Sequence, residues 1–225
     1  MNKWKYIFLF LWFPFIAHSE SSICYGTTST GHLKDGVQLP VNGKNFEGYS
    51  SIARLAGRTY VHSVVKDIVV KSYKSLETGL PDKLYKYAET GFQKGGEFKP
   101  HKTHRNGLSV DFMTPVKNTA NESVHLPTHP LNKFGYDIEF DKNGKYDDLS
   151  IDYLALAGHI VALHKEAKKQ GYDLWRVIFD PALQAPLFKT RYGAYLKRNV
   201  SFSKKRSWVR HDEHYHVDFS IPCKS

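Results

Sequence analysis

The sequence predicts an α+β fold: a single domain with a mainly antiparallel sheet, flanking helices and long loops. Three observations carry that expectation. Two stretches place apolar residues at helical spacing, several short segments alternate with a period of two, and neither an internal repeat nor a linker divides the 225 residues. A chain of that length can bury one substantial core.

The first residues stand apart. Lys3 and Lys5 precede the apolar run Tyr6 to Ile16, and Ala17-His18-Ser19 offers small residues for cleavage, so residues 1–19 read as a secretory signal peptide and 20–225 as the domain. A run of about 11 residues is too short to cross a bilayer core that needs roughly 20. No stable membrane anchor is expected once the signal is cleaved, and the chain is placed in the periplasm or outside the cell. Ser22-Ile23 before Cys24 makes a poor lipoprotein signal.

Residues 25–58 are rich in Gly, Ser and Thr and read as an extended, loop-rich segment that packs on a core built later. Val65, Ile68, Val69, Tyr73 and Leu76 predict an amphipathic helix from His62 to about Thr78, ended by Gly79-Leu80-Pro81. Lys83 to Thr90 alternates loosely as a strand, and Gly95-Gly96 marks a turn. Leu108 to Met113 is a second strand, with Ser109, Asp111 and Met113 on one face and Val110 and Phe112 on the other. Residues 114–150, rich in Asn, Pro, Asp and Gly, read as a long excursion or lid. Asp152 to Gln170 is the clearest helix, with Leu154, Ala157, Val161 and Leu163 inward, Asp152 as cap and Gly171 as stop. Trp175 to Asp180 reads as a buried strand, a short helix follows from Pro181, and His214 to Ile221 alternates as the last strand.

Composition excludes several classes. With 41% hydrophobic residues the chain is neither collagen-like nor disordered, and two Cys are too few for a disulfide-stapled miniprotein or a four-Cys zinc module. Cys24 and Cys223 lie at opposite ends of the exported chain, so a structural disulfide tying the termini is expected. The net charge of +10 comes from scattered Lys and Arg with no nucleic-acid-reading motif, so no nucleic-acid partner is expected.

Chemistry concentrates in the histidines. Of 12 His, two clusters stand out: His101 and His104 leading to Asp111, and His211, His214 and His216. On a strand, His214 and His216 point the same way. Imidazoles with a carboxylate are the ligand set of a catalytic zinc site, in which three protein ligands leave a fourth position. The scattered His18, His32, His62, His125, His129, His159 and His164 read as surface or hydrogen-bonded residues. His159 and His164 are five apart on a helix, the wrong spacing for one face, and no H-E-x-x-H occurs.

These residues resemble a known family. Gly95-Gly96, then His101-x-x-His104-x-x-Gly107-Leu108-x-Val110-Asp111, then His211-x-x-His214-x-His216 are similar to the motifs of the penicillin-insensitive murein endopeptidases, within the lysostaphin, D-alanyl-D-alanine metallopeptidase and sonic hedgehog superfamily. The resemblance covers roughly residues 25 to 223. It departs in that the segment between Phe98 and His101 is one residue short. A further Asp and His that hold a second metal in some members have no clear match; Asp141 and Tyr146 lie near that region.

The resemblance implies one Zn²⁺, with a second metal left open. His104, Asp111 and His216 are the implied ligands and His214 the catalytic His. His101 and His211 fall close to the site, as outer hydrogen-bonding partners or, for His101, as a further metal contact. His214 is the first choice of general base. Glu213 is its rival, although on a regular strand it points away from His214 and His216. A protonated His211 would supply a cation for the oxyanion, and Trp208 and Tyr215 are candidates to line the groove or to belong to the core. The implied partner is peptidoglycan, and the expected reaction is cleavage of D-alanyl cross-links between stem peptides. The alternatives are a D,D- or L,D-carboxypeptidase on the same core, or a non-enzymatic zinc-binding module.

Overall fold

Val110 and Phe112 alternate against Ser109, Asp111 and Met113, and that alternation becomes the middle strand of a five-stranded sheet, Ser109–Met113. A computed structural model describes residues 21–225; the leader expected over 1–19 lies outside the described residues. The strand order across the sheet is Asp173–Ile178, His214–Ser220, Ser109–Met113, Tyr85–Tyr87 and Phe46–Gly48. All neighbours are antiparallel except the last pair, which is parallel. Register sets the chemistry: His216 lies opposite Asp111, His214 opposite Met113 and Asp218 opposite Ser109. One face of the two central strands is therefore polar, and the other carries Val110, Phe112, Tyr215 and Val217, all fully buried.

The apolar face is covered by two helices. Ser63–Gly79 buries Val65, Ile68, Val69, Tyr73 and Leu76, the stripe read from the sequence. Tyr153–Lys169 starts where the Asp152 carboxylate accepts the Ala155 N–H at 3.0 Å, and Gly171 at φ +81° takes the left-handed turn beyond its end. This second helix packs on the first and on the edge strand, so it is buried nearly all round. The Cys24–Cys223 disulfide is formed, with Cα atoms 4.8 Å apart.

Three elements differ from expectation. Only Tyr85–Tyr87 of the Lys83 to Thr90 segment joins the ladder regularly. The edge strand runs Asp173–Ile178, and a register irregularity between Leu174 and Arg176 turns Trp175 outward, so this strand is not buried throughout. Residues 114–150 are not structureless: Lys145–Tyr146, Leu149–Ile151, Val116–Lys117 and Ser123–Val124 make a small second sheet, and Pro130–Gly135 makes a short 3₁₀ segment.

His159 shows how the core treats a titratable group. Its Nδ1 accepts from the Tyr215 hydroxyl and its Nε2–H donates to Ser72 Oγ at 3.3 Å, while the ring stacks on Tyr73 at 4.7 Å. Burial pushes its pKa from 6.5 down to about 3. Between those values the unfolded chain binds a proton that the folded one does not. This contribution is therefore fully present above pH 6.5 and is lost as pH falls, by about 1.4 kcal/mol per pH unit. Urea unfolding at about pH 7 and about pH 5 should show a smaller acid loss in His159→Asn than in the parent protein; equal losses would refute the assignment.

Candidate active site

The first cluster is placed by a glycine turn. Gly107 has φ +77°, and a Cβ there would stand 2.7 Å from the His62 backbone nitrogen, so the turn that feeds the Ser109–Met113 strand needs glycine. Just before it, His104 donates Nδ1–H to the Thr90 carbonyl at 3.1 Å. Its Nε2 is buried without a hydrogen-bond partner and faces Asp111 Oδ1 at 3.3 Å.

The second cluster arrives through strand pairing. His216 Nδ1 lies 2.8 Å from the same Asp111 Oδ1, and His216 Nε2 lies 2.9 Å from Asp218 Oδ1. Asp218 is itself held by Ser109 Oγ and by Arg176 Nε at 2.6 Å. Burial alone would lower the His216 pKa; Asp218 and Asp111 outweigh it and raise it to about 10. Burial likewise opposes the ionised Asp111, yet His104, His214 and His216 hold its carboxyl well below the usual range. Asp111 Oδ2 accepts the Tyr136 hydroxyl at 3.2 Å, which leaves Oδ1 for the two imidazoles.

His101 also reaches this carboxylate. Its Nδ1 stands 3.8 Å from Asp111 Oδ2, and its Nε2 lies 2.6 Å from Glu89 Oε2. Donor atoms of His101, His104 and Asp111 lie within 4.8 Å of one another. Glu89 is bound by Arg58 and accepts the Tyr49 hydroxyl at 2.8 Å; burial would raise its pKa, but Arg58 and His101 outweigh it and hold it at about 2. The donor set suits a divalent cation. A buried imidazole nitrogen without a partner points at a carboxylate, and the outer nitrogens are fixed by a carbonyl and by carboxylates, as metal-binding imidazoles require.

Glu213 departs from the expected geometry. The last strand begins at His214, so Glu213 precedes the alternation, and its Oε1 folds back to 2.7 Å from His214 Nδ1. His214 Nε2 faces Asp111 Oδ2 at 3.8 Å. Burial would lower the His214 pKa, but Glu213 and Asp111 raise it on balance. His211, at φ +56°, donates Nδ1–H to the Val209 carbonyl at 3.0 Å. Burial and the adjacent His214 push its pKa down to about 3, which disfavours the protonated ring that an oxyanion cation would need. Arg206, Arg210 and Lys133 bring positive charge to the cleft instead.

The cluster opens into a cleft of about 580 Å³ lined by His101, Tyr136, Arg206, Trp208, Glu213 and His214 among others. A second pocket of about 200 Å³ reaches His104, His211 and His216 and shares His101, Trp208 and His214 with the first. Of the two aromatics considered for the groove, Trp208 lines it, whereas Tyr215 alternates to the opposite face and is fully buried in the core. Asp141 accepts the Asn143 and Lys145 backbone N–H groups of its own turn, and Tyr146 packs on Phe140.

Sequence reasoning missed Asp218, Glu89 and Tyr136. Asp218 was within reach, because it lies two residues beyond His216 on the same strand face. Glu89 and Tyr136 carry no motif and are recruited from a neighbouring segment and from the long excursion.

Comparison with known proteins follows this geometry. The family model described as penicillin-insensitive murein endopeptidase matches residues 24–225. No curated protein matches the chain. Among the described residues no helix is long and apolar enough to cross a membrane.

Proposed function

This chain belongs to the penicillin-insensitive murein endopeptidase family, and from that premise we propose that it is an exported, zinc-dependent hydrolase of D-alanyl cross-links in peptidoglycan. The observation that carries the reading is the convergence of His104 Nε2 and His216 Nδ1 on Asp111 Oδ1 beside the cleft. These three atoms would hold the ion, with His101 at its margin. Bound there, zinc would supply a Lewis acid that acidifies a water molecule and polarises the scissile carbonyl.

The chain's own residues do the rest. Glu213 takes the His214 Nδ1–H and so leaves Nε2, on the side facing Asp111, to accept a proton and later pass it to the leaving amine. Asp218 and the Thr90 carbonyl fix the rings of His216 and His104. Arg206 and Arg210 add positive charge where an oxyanion develops. Two pockets meet at His214, which gives a peptide room on both sides of the scissile bond and favours an endopeptidase over a carboxypeptidase. The Glu213–His214 pair favours an enzyme over a binding module. Export is supported by the Lys3-to-Ser19 leader and by the disulfide, which suits an oxidising compartment.

The test is digestion of cross-linked muropeptide dimers by the chain from residue 20 onward, read by mass spectrometry. Dimers should become monomers, the activity should stop with a chelator, and added Zn²⁺ should restore it. Release of free D-Ala from monomers instead would make the protein a carboxypeptidase. Bound zinc with every muropeptide intact would make it a binding module.

A further inference from the structure

A second groove lies away from the catalytic cleft, at the sheet edge where the termini are tied. It measures about 440 Å³ and is lined by Thr27, Ser29, Asn106, Trp175 and Ser220, with Leu108, Phe219 and Ile221 beneath. No charged side chain lines it, in a chain whose residues are 24% charged. Trp175 is 54% exposed, pushed out by the register irregularity before Arg176. Asn106 is itself buried, and its Oδ1 finds no hydrogen-bond partner.

An exposed indole beside hydroxyl and amide groups, with no fixed charge, suits a ligand that is apolar on one face, hydroxylated at its edges and uncharged. A pyranose ring has that character. The cation nearest the indole, Arg176, is already paired with Asp218 at 2.6 Å, so it is not free to neutralise a phosphate or a carboxylate-bearing peptide. The groove also adjoins the catalytic side. The Arg176 guanidinium sits 4.4 Å from the Trp175 ring, and the same Arg176 lines the pocket that holds His104, His214 and His216.

We propose that the Trp175 groove binds the glycan strand of peptidoglycan, an N-acetylhexosamine stacking on the indole, and so holds the polymer while a stem peptide occupies the cleft. This rests on the endopeptidase reading for its substrate, but the sugar site can be tested alone. Chitotetraose, a soluble N-acetylglucosamine oligomer, is titrated by calorimetry into the wild-type chain, Trp175→Ala and Trp175→Phe. The wild type should bind, Trp175→Ala should bind about tenfold more weakly, and Trp175→Phe should recover part of the loss. The ratio of the cleavage rate on intact sacculi to that on a glycan-free cross-linked peptide dimer should also fall about tenfold in Trp175→Ala.

An absence of chitotetraose binding to the wild type, or equal affinity in Trp175→Ala, overturns the proposal, as does an unchanged rate ratio. Failure of the wild type to cut either substrate would instead sink the endopeptidase reading, and the sugar titration would still decide the groove. Because Trp175 is exposed, thermal unfolding of the variants should match the parent.

Discussion

His104→Ala and His216→Ala should each lose metal and turnover together. His104 contributes a buried nitrogen that has no other partner, and His216 contributes the nitrogen 2.8 Å from Asp111 Oδ1. Removing an outer partner of a metal ligand costs roughly 10–100-fold in affinity, and removing a ligand outright should cost more. The two variants differ in their effect on folding. His216 sits between the buried carboxylates of Asp111 and Asp218, so its loss removes a donor atom beside Asp111 and also the ring nitrogen that partners buried Asp218, and a buried acceptor left without a partner is destabilising. His104→Ala is therefore the cleaner variant, and His216→Gln, which keeps polar atoms between the carboxylates, is the control for His216. Metal content by elemental analysis, thermal unfolding and dimer cleavage should be read on the same samples. Full metal content in folded His104→Ala would remove His104 from the ligand set.

His214→Ala should keep its metal and lose turnover by about 10²–10⁴-fold, the range that a positioned general base supplies. The arrangement Glu213 Oε1 to His214 Nδ1 at 2.7 Å makes a stronger statement. If Glu213 acts only through His214, the double variant His214→Ala/Glu213→Gln should be no slower than His214→Ala alone. Glu213→Gln by itself should fall between the double variant and the parent, because an amide still meets the ring but removes the negative charge that raises the His214 pKa. A mild His214→Ala with a severe Glu213→Gln would transfer the base to Glu213. Single-turnover kinetics with metal content measured in parallel separates these outcomes.

Much of the fold was legible because it rests on local regularity. The stripe Val65, Ile68, Val69, Tyr73, Leu76 defines a helix face whatever the rest of the chain does, and the predicted stripe is the buried one. Asp152 and Gly171 delimit the long helix through their own side chain and backbone freedom. The alternation in Ser109–Met113 and His214–Ser220 already divides polar-face from core-face residues. Tyr215, left open between groove and core by the sequence, lies on the core face opposite its neighbours His214 and His216.

The sequence by itself determined which residues share a face and which motifs stand in which order, since a period of two or 3.6 is a property of the local backbone. Tertiary structure decided what those residues become. Pairing of distant strands brought His216 to Asp111, and the start of the last strand at His214 freed Glu213 to turn back onto it. Glu89 and Tyr136 came from separate segments to hold His101 and Asp111. Charge state followed from the surroundings: two carboxylates lift His216 to about 10, while burial beside His214 drives His211 to about 3. Both are histidines of one short motif, and only the dielectric and the charges packed around each ring tell them apart.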